Sequence, residues 1–91
     1  MELSIKDALR KGVSVHKKGH YKEAERIYRA ILEVQPTHPD ANHNLGVLAV
    51  SFRKVSLALP LFKTALTENP EKEQFWLSYI DSSYYIGSRS K

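Results

Sequence analysis

The chain has 91 residues, and 14 Lys and Arg against 10 Asp and Glu give it a formal charge of +4. This size predicts a single domain, residues 1–91, with a thin core. The absence of cysteine excludes disulfides, thiolate metal sites and a cysteine nucleophile. No apolar run is long enough to span a bilayer or to form the core of a signal peptide, so we expect a cytoplasmic protein.

The first two predicted helices form a hairpin. Ser4, with Asp7 three positions later, is typical of an N-cap, and the apolar stripe that follows predicts a helix to about Lys17. Gly19 lies where a short turn is needed. The second helix, at about 21–34, is the most regular segment of the sequence.

The remaining sequence predicts three further helices. Pro39 lies in the first turn of a third helix at about 39–52, where its missing N–H costs little. A fourth helix spans about 56–68, and if Ser56 is its N-cap, Pro60 falls just beyond the first turn. A fifth helix begins after Pro70. Strand-like alternation is absent, so we predict an all-α chain of antiparallel helix pairs joined by short turns.

A repeat is visible in the second and fourth helices. Residues 24–36 and 58–70 share the skeleton Ala-x3-aromatic-x3-Leu-x3-Pro, displaced by 34 positions. The matched pairs are Ala24 with Ala58, Tyr28 with Phe62, Leu32 with Leu66, and Pro36 with Pro70. Spacing by four places each set along one face of a helix, and the period predicts repeating helical hairpins.

This repeat resembles the tetratricopeptide repeat (TPR) and in particular bacterial TPR arrays. The second unit carries the family's residue types at Leu45, Gly46, Ala58, Phe62, Ala65 and Pro70, and the first unit carries them at Gly12, Ala24, Tyr28 and Pro36. The resemblance implies an α-α superhelix of two TPR hairpins plus a fifth helix. Its units would cover about 5–38 and 39–72, with a partial third unit at about 73–87. An ordinary amphipathic bundle is the alternative, but it needs no such period.

Packing explains the residue types that this resemblance rests on. A small residue at Gly46 lets the paired helices approach closely, and Phe62 fills the gap beside the next unit. The sequence departs from the family at Asn42, where a bulky residue is expected, and in the turn SFRKV, which lacks Gly or Asn.

In this family the first helix of each unit lines a concave groove that receives extended peptides, so the resemblance implies a non-catalytic protein–protein interaction module. On this chain the groove positions are Lys6, Leu9, Arg10, Val13, His16, Lys17, His43, Asn44, Val47 and Val50. The apolar members, with Leu77, would form the floor, and the basic members would make one end positive. We therefore expect a partner segment with apolar anchors and some acidic residues, and Asn44 could hold its backbone. The alternatives are burial by neighbouring helices for the apolar residues and a solvated helix surface for Asn44.

The fifth helix is unusually apolar. Its aromatic and aliphatic residues are Phe75, Trp76, Tyr79, Ile80, Tyr84 and Tyr85. A repeat array needs a polar capping helix, so a second hypothesis is a self-associating structural unit that forms a homodimer through this helix. A fraying end of a longer array is the alternative. The stretches DANHNLGVLA and EQFWLSYI resemble bacterial repeat arrays that precede transferase domains, so a detached helper module of a transferase is a further hypothesis.

No catalytic site, metal site or cofactor is predicted. His38, Asp40 and His43 are the nearest approach to a metal-ligand set, but they straddle a helix start and nothing in their spacing makes them converge. The serines lack a recognisable partner base. Basic residues near the start of the chain are diluted by glutamates, which makes nucleic acid a disfavoured partner.

Overall fold

A computed structural model describes residues 4–89, with the side chains of residues 4–84. These residues form five α-helices and no strand, as the sequence predicts: α1 Ile5–Lys17, α2 Tyr21–Val34, α3 Pro39–Ser51, α4 Val55–Glu68 and α5 Glu73–Arg89. The predicted bounds of α1 and α2 are confirmed, and those of α3 and α4 differ from the structure by one residue.

Helix starts agree only partly with the predicted caps. The Ser4 hydroxyl oxygen accepts a hydrogen bond from the Asp7 backbone N–H at 3.1 Å, so Ser4 is the N-cap of α1 as predicted. At α3 the cap is His38, whose Nδ1 accepts from the Ala41 N–H at 3.1 Å. Ser56 is not the N-cap of α4, because the helix begins at Val55 and its cap position is Lys54, whose side chain makes no capping hydrogen bond.

The turns inside the two hairpins have the same backbone geometry. Gly19 has φ 85°, and Arg53, 34 positions later, has φ 62°. In each turn the following N–H closes the helix end, from His20 to the Val15 carbonyl at 2.9 Å and from Lys54 to the Ala49 carbonyl at 2.8 Å. Arg53 therefore adopts the left-handed conformation that a glycine provides in the first hairpin, at a cost of about 1–2 kcal/mol for a side-chain-bearing residue.

Each hairpin is closed by an aromatic ring packed on a glycine. The Tyr28 ring covers Gly12 in the first hairpin, and the Phe62 ring covers Gly46 in the second. Both aromatic side chains are fully buried. Ala24 and Ala58 are also fully buried. The 34-residue period of the sequence is thus also a period of side-chain contacts.

The helices form two layers. Within the described residues α2 packs on α1 and α3, and α4 packs on α3 and α5, whereas α2 and α4 do not contact each other. Helices α1, α3 and α5 adjoin in the other layer. The molecule is elongated, 51 × 27 × 20 Å, as expected for hairpins stacked in a row.

The junction between the two hairpins and the junction between the second hairpin and α5 contain equivalent hydrogen bonds. The Asn42 amide donates to the Pro36 carbonyl at 3.0 Å, and the Trp76 indole N–H donates to the Pro70 carbonyl at 2.8 Å. The two donors are 34 positions apart in the sequence, and so are the two acceptors. Asn42 is smaller than Trp76, yet its amide makes the equivalent bond and also donates to the His38 carbonyl at 2.9 Å.

Candidate protein-binding surfaces

The predicted groove residues lie on α1 and α3, whose neighbour in the same layer is α5. We call the exposed side chains of these three helices the odd-helix face. At its centre, Val47 and Val50 of α3 are 37% and 39% exposed, and Leu77 of α5 is 47% exposed. Val50 also lines a hollow of about 260 Å³ together with Asp81 and Ser82 of α5. Exposed aliphatic side chains thus extend from the middle helix to the next.

The α1 part of this face is more polar and more buried than the sequence predicts. Lys6 and Lys17 are exposed and make no ion pair with any side chain in the described range, and Arg10 lies 3.5 Å from the Asp7 carboxylate with both groups exposed. Leu9 and Val13 are half-buried, and Leu9 packs against the core. Their contribution to an apolar floor is therefore smaller than that of the α3 valines.

His16 has a structural role that the sequence does not reveal. Its Nδ1 lies 3.1 Å from the hydroxyl oxygen of Tyr28, and its ring makes edge contacts with Tyr21 and Tyr28 at 5.8 and 5.9 Å. Burial lowers the pKa of His16 and raises the pKa of Tyr28 to about 12. Both groups therefore favour their neutral forms, and His16 supplies the polar partner that a buried phenol requires.

His43 does not lie on the open surface. It is 8% exposed, its ring packs 4.9 Å from Phe75 and 5.4 Å from Phe62, and its Nε2 lies 2.8 Å from the Ser78 hydroxyl. Its Nδ1 is 3.4 Å from the Asn44 amide oxygen. The neutral tautomer that satisfies both contacts carries its proton on Nδ1 and accepts from Ser78. The prediction that His43 contacts a peptide does not fit this burial, because the ring joins α3 to α5.

Two of the residues predicted for self-association belong to the core. Phe75 is 1% exposed and packs with Ala65 and Leu66 in a second core cluster. Tyr79 is half-buried against the same cluster. Phe75 is therefore unavailable to another chain, because it already docks α5 on α4.

The other predicted self-association residues form an exposed stripe. Trp76, Ile80 and Tyr84 are 45%, 54% and 71% exposed. Spacing by four places them along one side of α5. The side chain of Tyr85 lies outside the described residues.

A groove on the opposite layer was not predicted. It lies between α2 and α4, encloses about 560 Å³ and has Leu45 and Leu48 of α3 in its lining. We call it the α2–α4 groove. Its signal in the sequence is α4 itself, where Leu57, Leu59 and Leu61 cannot all lie on one buried stripe. Leu57 is accordingly 56% exposed.

The three residues that come nearest to a metal-ligand set in the sequence, His38, Asp40 and His43, each have another hydrogen-bond partner. His38 caps α3, Asp40 accepts from Lys72 Nζ at 3.1 Å, and His43 meets Ser78. Over the part of the chain that the structure describes, no three acidic or histidine side chains are placed to hold a metal ion. None of the helices in that part is both long and apolar enough to cross a membrane.

Neither protein-family models nor the sequences of curated proteins match this chain. The surfaces therefore have to be judged by their own chemistry. The odd-helix face and the α2–α4 groove each place exposed apolar side chains beside charged ones, and the exposed stripe on α5 is apolar, all of which is typical of protein-binding surfaces.

Proposed function

We propose that this protein is a TPR-like, non-catalytic interaction module that binds a peptide segment of another protein along the odd-helix face. The observation that carries the proposal is the exposure of Val47 and Val50, 37% and 39%, at the centre of a layer of three adjoining helices. Leu77 of α5, an adjoining helix of the same layer, is also exposed. Val47 and Val50 are neighbours on α3 by their spacing of three, and adjacent exposed apolar side chains favour a binding surface over bare solvent contact.

The chemistry of the face favours an extended segment with apolar anchors and carboxylates. The exposed Lys6 and Lys17 make the α1 end positive, which attracts acidic side chains and speeds encounter. The half-buried amide of Asn44 can donate to and accept from a peptide backbone, which fixes a strand without reading its sequence.

A hydrogen bond between two helices of the face favours a binding site that is already formed before a peptide arrives. The hydrogen bond between His43 and Ser78 joins α3 to α5 beneath it at 2.8 Å. A surface held in its bound shape loses less entropy on binding than one that must be ordered.

The test is selection of peptides from a random displayed library against the folded chain, followed by binding titrations with variants. We expect selected peptides to combine apolar and acidic residues and to lose at least about tenfold in affinity, about 1.4 kcal/mol, to Val47→Lys. Val34→Lys is the matched control, because it makes the same substitution at an exposed valine of α2 that lies outside this face and outside the α2–α4 groove. Peptides that bind both variants equally, or that carry no apolar or acidic preference, would refute the proposal.

Self-association through α5 is a second candidate function, which the exposed stripe of Trp76, Ile80 and Tyr84 favours. Light scattering over a concentration series should show growth in mass, and Trp76→Ala with Ile80→Ala should abolish it. Burial in a dimer should also shift the Trp76 emission to shorter wavelength as concentration rises. A mass that stays monomeric at high concentration, with unchanged emission, would exclude this function.

A further inference from the structure

The α2–α4 groove exists because two helices rest on a third without meeting. Within the described residues α2 and α4 both pack on α3 but not on each other. The surface of α3, at Leu45, Leu48 and Ala49, therefore lies at the bottom of a trough of about 560 Å³. This volume falls within the range typical of binding sites, about 300–1,000 Å³.

The apolar walls of the trough are exposed, and one of them is braced by an aromatic contact. Leu57 is 56% exposed and Phe52 is 42% exposed, and both line the groove. The Phe52 ring is braced by an edge-to-face contact with Tyr21, at 5.8 Å and 89°. An apolar surface that is already in place, rather than formed on contact, reduces the entropy that a ligand must overcome.

The rim carries an excess of positive charge. Lys22 and Arg29 of α2 and Lys54 beside α4 line the groove, whereas Glu25 is the carboxylate among its lining residues. Glu25 is already bonded to Arg29 at 2.9 Å. Lys22 and Lys54 form no ion pair with any side chain in the described range, so the groove has two uncompensated cations beside an apolar floor. The complementary ligand is apolar on one side and negatively charged beside it.

We infer that the α2–α4 groove binds an acidic amphipathic helix of a partner protein. Its apolar side chains would contact the exposed Phe52 and Leu57, and its carboxylates would lie beside Lys22 and Lys54. A helix suits the trough because its side-chain ridges can enter the spaces between two flanking helices, the packing that joins the helices of this fold. This site is separate from the odd-helix face, on the other layer of the molecule.

The experiment uses two synthetic peptides of about 18 residues, long enough to form a helix. Both carry leucine at helical spacing along one side, and the remaining positions are alanine and glutamate in one peptide and alanine and lysine in the other. Fluorescence anisotropy at low salt measures their affinity for the whole chain. We expect the acidic peptide to bind at least about tenfold more tightly than the basic peptide, and added salt to weaken it.

Variants locate the site. Lys22→Glu with Lys54→Glu should reverse the preference between the two peptides, and Leu57→Ala should weaken both. The matched control is Arg26→Glu with Lys63→Glu, which makes the same change in net charge at exposed residues outside both the groove lining and the odd-helix face and should leave the acidic peptide bound. Circular dichroism of each variant confirms that it folds.

Amide chemical shifts give a second readout that does not depend on variants. The acidic peptide should shift the amides of Leu45, Ala49 and Leu57 and leave those of Val47 and Val50 in place. Equal affinity for both peptides, or shifts confined to the odd-helix face, would overturn the inference. Shifts caused by dodecanoate and not by the peptide would also overturn it, by showing a site for a small amphipathic anion. Val47→Lys separates the two proposals, because it should abolish peptide binding at the odd-helix face and leave this site unchanged.

Discussion

Gly46 offers a direct test of how closely the paired helices pack. A Cβ built on it would lie 2.5, 2.7 and 3.0 Å from three carbons of the Phe62 ring, about 1 Å short of ordinary contact at the nearest. In a solvent-exposed helix, Gly→Ala stabilises by about 1 kcal/mol through helix propensity. Here Phe62 is 1% exposed and cannot swing into solvent. Overpacking of about 1–3 kcal/mol should exceed that gain, so we expect Gly46→Ala to destabilise by about 1 kcal/mol and Gly46→Leu by more.

Urea denaturation followed by circular dichroism measures these changes in the free energy of unfolding. The equivalent Gly12→Ala should be milder, because its Cβ would approach Tyr28 at 2.8 Å. Combining Gly46→Ala with Phe62→Leu provides the control, since a smaller side chain removes the clash and the double variant should lose less than the two single losses together. Stabilisation by Gly46→Ala, or strict additivity in this cycle, would refute the packing described for the second hairpin.

Three further predictions follow from single residues. Arg53→Gly should stabilise by about 0.5–1 kcal/mol, because it removes left-handed strain at φ 62°, whereas Gly19→Ala should destabilise; a lower denaturation midpoint for Arg53→Gly would contradict this. Asn44→Ala should weaken peptides selected on the odd-helix face without lowering the melting temperature by more than a few degrees, and unchanged affinity in titrations would remove Asn44 from the site. Burial lowers the pKa of His43 below its ordinary value of 6.5, so the unfolded chain takes up a proton that the folded chain does not. Stability should therefore be full above about pH 6.5 and fall as the pH drops below it, and His43→Gln should flatten that dependence in urea titrations; an unchanged slope would contradict it.

The helices and the repeat could be predicted from the sequence because both depend on the local spacing of apolar residues, proline and glycine. The skeleton that Tyr28 and Phe62 share determines which side of α2 and α4 is buried, and proline and glycine mark the boundaries. The predicted start of α4 differs from the observed start by one residue, because the preceding Arg53 adopts a left-handed backbone conformation that is unfavourable for arginine. The turn is closed by backbone hydrogen bonds from Arg53 to Val50 and from Lys54 to Ala49, each 2.8 Å long, which residue type alone does not reveal.

The candidate surfaces were less predictable, because exposure depends on which helices meet. His43 and Val47 are both assigned to the groove by position in the unit, yet His43 is buried against Phe75 and Val47 is exposed. The α2–α4 groove depends on a gap between two helices that are not adjacent in sequence. An apolar residue such as Leu57 reads as core in a sequence whether or not a neighbouring helix covers it.

The two separate core clusters have a consequence for how the molecule opens. One cluster gathers Val15, Tyr28 and Leu48, and the other gathers Leu66 and Phe75 where α5 docks. Within the described residues α5 touches α3 and α4 and no other helix, so it can detach while the first hairpin stays intact. Amide hydrogen exchange should accordingly be graded along the chain, fastest in α5 and slowest in α2 and α3. A partner that binds α5 and α3 at the same time would slow amide hydrogen exchange throughout α5. Binding would therefore also stabilise this helix against local unfolding.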